Sequence, residues 1–219
     1  MNEPFSLAFV RPSTFGAIAG IHLPAGVEAV TNEVLQRLDP LERVIAQKLR
    51  GRRQIEFAGG RLAYRALRSD AGPLTTGERG EPCCPPGLSV SVTHKSDLAV
   101  ALVGDAQNGT LGLDLEGDGR ERMTIAHRVL CPDEQVEVES LPAAQRWRAV
   151  LLRFALKEAA YKAIHPHLHR FVSFQEAHVT LGEGEAKVVI LTEPTLELEA
   201  GWETLGAHKI LASVRARRR

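Results

Sequence analysis

Leu111-Gly112-Leu113-Asp114-Leu115-Glu116 is the stretch around which the rest of the chain can be organised. Strict alternation of this kind is the period of a strand, in which every second residue shares a face. The three leucines point one way, and Asp114 and Glu116 the other. Two carboxylates at neighbouring positions of one face repel each other, so the pattern has two explanations. Either the acidic face is open to water, or a cation sits between the acids. Hard oxygen ligands suit Mg²⁺, which takes one or two protein carboxylates and completes its shell with water and phosphate oxygens.

Working backwards, Gly104 to Gly109 reads as a turn, Leu98 to Val103 as a buried strand, and Leu88 to Val92 as another. The latter runs into Ser91-Val92-Thr93-His94-Lys95-Ser96, whose hydroxyls, imidazole and ammonium could cradle a phosphate or could simply end a strand in solvent. Working forwards, Thr124 to Leu130 is short and helical, and Pro132-Asp133-Glu134 opens a helix. Ala143 to Ile164 is the longest helical pattern, with Pro166 expected to break it. Within it Lys157 and Tyr161 lie one turn apart, as do Glu158 and Lys162. Glu158 and Lys162 could be a surface pair, or a third carboxylate and a cation facing a phosphate-rich ligand. Strands are expected at 178–181, 186–192 and 207–214, followed by a basic tail, Arg215 to Arg219, in solvent.

The first half follows a similar plan. Residues 5–10 and 16–21 read as strands and Glu28 to Leu38 as a helix. A second helix starts at Asp39-Pro40, with Asp39 as N-cap. A basic helix covers Arg52 to Leu67, and a Gly/Pro/Thr/Cys loop covers 69–87. Taken together this is an α+β chain of two lobes, residues 1–106 and 107–219, with at most faint internal symmetry.

Composition narrows the function. The 219 residues carry 27 Lys+Arg and 27 Asp+Glu, so global attraction to nucleic acid or an anionic membrane is not supported, and any anion must be held by a local cluster. Cys83, Cys84 and Cys131 form neither a disulfide framework nor a zinc spacing. No apolar run approaches the ~20 residues of a membrane span, and the N-terminus lacks a signal-peptide pattern. A cytoplasmic protein is expected.

The ordered set of motifs resembles the 4′-phosphopantetheinyl transferases of the surfactin and enterobactin type. The elements are SVTH at 91–94, GLDLE at 112–116 and FALKEAAYK at 154–162, preceded by RRQIEFAGGRLA at 52–63 and followed by Phe171-Val172-Ser173-Phe174, where that family often has a Phe-rich return strand. The resemblance covers residues 25 to 180. It implies two similar lobes related by a pseudo-twofold axis, each a small sheet packed with helices, with coenzyme A in the cleft between them. It implies transfer of the phosphopantetheine arm to a serine of an acyl or peptidyl carrier protein, releasing 3′,5′-ADP, in a monomer serving secondary metabolite biosynthesis. By the family pattern Asp114, Glu116 and Glu158 hold Mg²⁺, and Lys162, joined by Lys157, lies on the phosphates. His94 and Thr93 contact the nucleotide end, and Arg53 and Arg61 hold phosphates from the first lobe. Glu158 is also a candidate base.

The chemistry agrees with this. Displacement at a pyrophosphate needs charge neutralisation and alignment more than a protein nucleophile, and the attacking serine belongs to the partner. Two rivals keep the same residues: a nucleotide pyrophosphate hydrolase, and a coenzyme A-binding scaffold with a dead site. Pro82-Cys83-Cys84-Pro85-Pro86 departs from the Trp-Pro pair frequent in enterobactin-type members. His165, His167 and His169 alternate as a transition-metal site would, without an acid to complete the set.

Overall fold

Among the described residues, backbone hydrogen bonding forms a four-stranded and a five-stranded sheet that share no strand, and a minimal two-stranded one. The structure is a computed structural model and describes residues 4–77, 80–119 and 121–219. The first three residues of the N-terminal stretch and residues 78 and 79 of the 69–87 loop lie outside the described residues. Two compact units part between Asn108 and Gly109.

The first unit contains β1 (Leu7–Ser13), β2 (Gly16–His22), α1 (Asn32–Gln36), α2 (Pro40–Lys48), α3 (Gly51–Leu67), the two-residue strands β3 (Thr75–Thr76) and β4 (Pro82–Cys83), β5 (Leu88–Lys95) and β6 (Leu98–Asp105). Its sheet runs β1-β2-β6-β5, antiparallel throughout. α3 lies across β2, β5 and β6. Its Ile55, Ala58, Leu62 and Ala63 pack with Ile21, Val90, Ala101 and Val103; burying each larger aliphatic contributes roughly 1.5–3 kcal/mol. The helix expected from Glu28 is shortened to α1 because the Val30 amide donates to Gln54 Oε1 (2.9 Å) rather than to a helical carbonyl, and Thr31 takes the N-cap position.

The second unit contains β7 (Thr110–Gly117), α4 (Ala126–Val129), α5 (Pro132–Ser140), α6 (Ala143–Leu168), β8 (Ala177–Leu181), β9 (Glu185–Ile190), β10 (Leu196–Leu205) and β11 (Lys209–Arg218). The sheet order is β7-β11-β10-β9-β8, again antiparallel. α6 lies along β7 and β11. Each unit therefore encloses its helices between strands.

Three expectations change. α6 does not break at Pro166 but runs to Leu168, ending at His169 in the left-handed region (φ 52°); a proline this near the end removes little more than one backbone bond. β10 carries no strand pattern in the sequence: Glu197, Glu199 and Gly201 obscure it, and pairing with β11 along its whole length forms it. The basic C-terminus is not a solvated tail. It extends β11, where Arg215 and Arg217 pair with Glu199, and Arg219 with Glu197.

Both units are locked by the same buried device. Glu42, in the first turn of α2, is fully buried and accepts from the Asp39 amide (3.1 Å), the Leu74 amide (2.8 Å) and Arg65 of α3 (3.1 Å). Glu134, in the first turn of α5, is fully buried and accepts from the Cys131 amide (2.8 Å), the Val179 amide (2.7 Å) and Lys157 of α6 (2.7 Å). Cap, acid and cation recur at a constant spacing of 92 residues: 39 and 131, 42 and 134, 65 and 157.

Candidate active site

Gly112, Asp114 and Glu116 stand opposite Val214, Ala212 and Ile210 of β11, which belong to the core beneath α6. The acidic face of β7 is thus the face α6 covers. Asp114 is only 7% exposed, which removes the solvated-face explanation for it. The helix comes this close because residue 112 is glycine: a Cβ there would lie 1.8 Å from the Ala159 carbonyl oxygen.

That approach brings the α6 side chains to the strand. Lys162 Nζ donates to Asp114 Oδ1 (2.6 Å) and to the Leu113 carbonyl (2.8 Å). Glu158, one turn earlier, has its carboxyl pushed up from the ordinary range, by burial first, then by the negative charges of Asp114 and Glu116, with Lys162 opposing. The structure thus brings together Asp114, Glu116, Glu158 and Lys162. Asp114 Oδ2 is buried with no hydrogen-bond partner, an orphan of the kind that costs about 1–3 kcal/mol.

Lys157 does not join them. It points into the core, with its amine fully buried among Glu134 Oε2 (2.7 Å), the Val129 carbonyl (2.8 Å) and the Phe174 carbonyl (3.1 Å). Beside Glu158 lies a cavity of about 160 Å³, its walls including Tyr161, Phe171, Val172 and Phe174. Residues 171–173 are loop and Phe174–Glu176 a single 3-10 turn, rather than a return strand. Phe174 packs on Phe154 (centroids 5.5 Å) and Phe171 on Tyr161 (6.1 Å). The three apolar side chains of that segment, Phe171, Val172 and Phe174, carry the sequence signal for this cavity.

In the first unit, β5 and α3 bring Arg53 and His94 together. Arg53 Nη1 is 3.4 Å from His94 Nε2, and His94 Nδ1 is 3.4 Å from Glu56 Oε1, which also holds Arg52 (3.1 Å). Glu56 belongs to the 52–63 motif, but the sequence assigns it no role; its place four residues after Arg52 on the basic helix is the signal for its pairing. Thr93 is buried in β5. Arg61 turns inward: it donates to the Leu74 carbonyl (2.6 Å), the Thr75 carbonyl (3.3 Å) and Thr76 Oγ1 (3.0 Å), and stacks on Phe57. Burial lowers its pKa to about 10. Its hydrogen bonds hold the Leu74–Thr76 segment, which sets it apart from the surface cluster at Arg53. Cys83, Cys84 and Cys131 are unbridged. Among the described residues no three His, Cys, Asp or Glu side chains form a ready-made metal shell, the alternating histidines included, and no helix is long and apolar enough to cross a membrane.

Residues 110–210 match the 4′-phosphopantetheinyl transferase superfamily, and residues 41–104 the 4′-phosphopantetheinyl transferase N-terminal domain. The 4′-phosphopantetheinyl transferase Npt of Nocardia iowensis is 31% identical over 169 residues, covering 72% of this chain and 74% of that protein. PptT of Mycobacterium tuberculosis (strain ATCC 25618 / H37Rv) is 34% identical over 123 residues, 55% of this chain and 53% of that protein. Svp of Streptomyces mobaraensis is 32% identical over 142 residues, 58% and 54%. The match thus spans about half the length of two of these relatives. A crystal structure of the Thermotoga maritima holo-[acyl-carrier-protein] synthase aligns with 50% of this chain and 63% of that one, at TM-score 0.42 and 22% identity. The chain belongs to the 4′-phosphopantetheinyl transferase family.

The donor set is compatible with the magnesium ion this family suggests. A buried Asp114 oxygen without a hydrogen-bond partner, beside a Glu158 carboxyl pushed up by burial and by the charges of Asp114 and Glu116, is a donor set that would suit a hard divalent cation.

Proposed function

We propose that this chain transfers the 4′-phosphopantetheine arm of coenzyme A to a serine hydroxyl of an acyl or peptidyl carrier protein, releasing 3′,5′-ADP, and that it is of the surfactin/enterobactin-synthetase type. The observation that carries this is the gathering of Asp114, Glu116, Glu158 and Lys162 where α6 crosses β7, in a chain that belongs to this family. Asp114, Glu116 and Glu158 would hold Mg²⁺, which when bound neutralises the diphosphate and polarises the reacting phosphoryl group.

The protein's own residues do the rest. Lys162, steadied by Asp114 and the Leu113 carbonyl, presents a fixed positive charge to the transferring phosphoryl group. Glu158, whose carboxylate is made more basic than usual by burial and neighbouring acids, would in its ionised form take the proton of the incoming serine. Bond formation is from the serine oxygen to the phosphorus bearing pantetheine, and the bond broken is to the bridging oxygen, which leaves with 3′,5′-ADP. The cavity flanked by Phe171 and Phe174 would take apolar parts of the arm. The Arg53–His94 cluster would take the nucleotide's phosphate.

Chromatographic measurement of coenzyme A loss and 3′,5′-ADP release, with and without apo carrier protein, tests this. Release only with carrier is expected. Coenzyme A consumed without carrier would make the chain a pyrophosphate hydrolase, and binding without release a scaffold.

A further inference from the structure

Glu134 and Lys157 lie where the framework of the second unit meets its reactive groups. Lys157 immediately precedes Glu158, so whatever fixes the α6 backbone at 157 fixes it at 158. An ammonium has three protons. Those of Lys157 have three oxygen partners: Glu134 Oε2, the Val129 carbonyl and the Phe174 carbonyl, at 2.7, 2.8 and 3.1 Å. Glu134 accepts from β8 and from the start of α5 as well. One ion pair therefore ties α6 to the segment before α5, to the first turn of α5, to β8 and to the Phe174 wall of the cavity.

The first unit supplies an internal control. Glu42 and Arg65 form the same clamp, but Ala66 follows Arg65 where Glu158 follows Lys157, and α3 ends at Leu67. The clamp exists in both units; only in the second does it adjoin an acid of the candidate site.

We infer that Lys157 and Glu134 are positioning residues: their buried pair sets the turn of α6 that aims Glu158 towards Asp114, and it fixes the Phe174 wall beside it. The effect on transfer rests on the function proposed above; the effect on metal binding does not.

The test compares E134Q, K157M, the double variant and E42Q. The readouts are Mn²⁺ affinity by electron paramagnetic resonance, kcat and KM for coenzyme A with apo carrier, and thermal unfolding. E134Q and K157M should each weaken Mn²⁺ binding and lower kcat by about 10–100-fold, the range seen when groups that orient metal ligands are removed. KM for coenzyme A should stay within about 3-fold, the mark of lost positioning rather than lost binding. The double variant, with neither charge left unpaired, should be no worse than the poorer single one. E42Q, whose clamp adjoins no acid of the candidate site, should lower the melting temperature while leaving Mn²⁺ affinity and kcat within about 2-fold. If E134Q does not fold, the double variant carries the same readouts.

A K157M variant that raises KM at least 10-fold while E134Q behaves as wild type would make Lys157 a ligand of coenzyme A and overturn the inference. Identical profiles for E42Q and E134Q would reduce the pair to a structural one. Absence of Mn²⁺ binding by the wild type would also count against it. Mn²⁺ binding without transfer by the wild type would sink the proposed function, while the Mn²⁺ affinities would still decide the positioning role.

Discussion

Gly112→Ala is the smallest change that should disable the site without touching a charged group. A methyl at residue 112 would sit 1.8 Å from the Ala159 carbonyl oxygen and 2.7 Å from the Ala163 amide nitrogen. Both are backbone atoms of α6, so no side-chain rotation relieves the clash. Restoring the ~3.5 Å of an ordinary contact requires α6 to retreat by about 1.7 Å. Forced overpacking of this kind costs about 1–3 kcal/mol, occasionally more. At roughly 4–8 °C per kcal/mol for a unit of about this size, the melting temperature should fall by some 5–20 °C. The retreat carries Glu158 and Lys162 away from β7, stretching a Lys162–Asp114 contact now at 2.6 Å. A displacement near 1 Å at a reacting site costs about 100-fold in rate. Differential scanning fluorimetry and a transfer assay under conditions where the variant stays folded read the two effects separately. A folded Gly112→Ala protein with wild-type stability and turnover would refute the seating of α6 on β7.

Asp114→Asn keeps the shape of the side chain and removes its charge; transfer should fall at least about 100-fold while the melt stays cooperative, because the leucine face of β7 is untouched, and wild-type transfer would remove Asp114 from the site. Lys162→Ala should lower kcat much more than it raises KM for coenzyme A, since its charge is needed most in the transition state; a pure KM change would contradict this. Arg61→Ala should lower the stability of the first unit and weaken coenzyme A and dephospho-coenzyme A equally, because its fork is spent on Leu74–Thr76; a selective loss for coenzyme A would place Arg61 on the 3′-phosphate. Glu176 is held down to about 2, first by the Ser173 amide and then by Arg170 and Thr192. A depressed carboxyl stabilises the fold above its unfolded value near 4.5, and the gain disappears as pH falls towards 2. Melting curves of wild type and Glu176→Gln should therefore differ above pH 5 and converge near pH 2, and a constant difference would exclude the linkage.

The site was legible where local pattern and site coincide. The alternation at 111–116 fixed which side chains share a face, and the one-turn spacing of Glu158 and Lys162 placed both on one helix. Their partnership was not local: Lys162 reaches across to Asp114, a pairing set by how α6 crosses β7. Lys157 and Arg61 misled for the same reason. A charged residue in a helix reads as available, and only tertiary packing reveals an acid or a row of carbonyls waiting inside. β10 and the basic end of β11 were hidden because their Glu and Arg side chains cancel across strands rather than along them. The paired clamps were hidden in plain view: Asp39-Pro40 and Pro132-Asp133-Glu134 each read as a helix start, but only the buried Glu42 and Glu134 show the two starts to be one device used twice.

The most direct test of the proposed transfer is the intact mass of a purified apo carrier protein after incubation with this protein, coenzyme A and Mg²⁺. A gain of one phosphopantetheine, abolished by EDTA and by Asp114→Asn, is predicted. An unchanged mass across carriers from several pathways, with coenzyme A bound to the protein throughout, would contradict it.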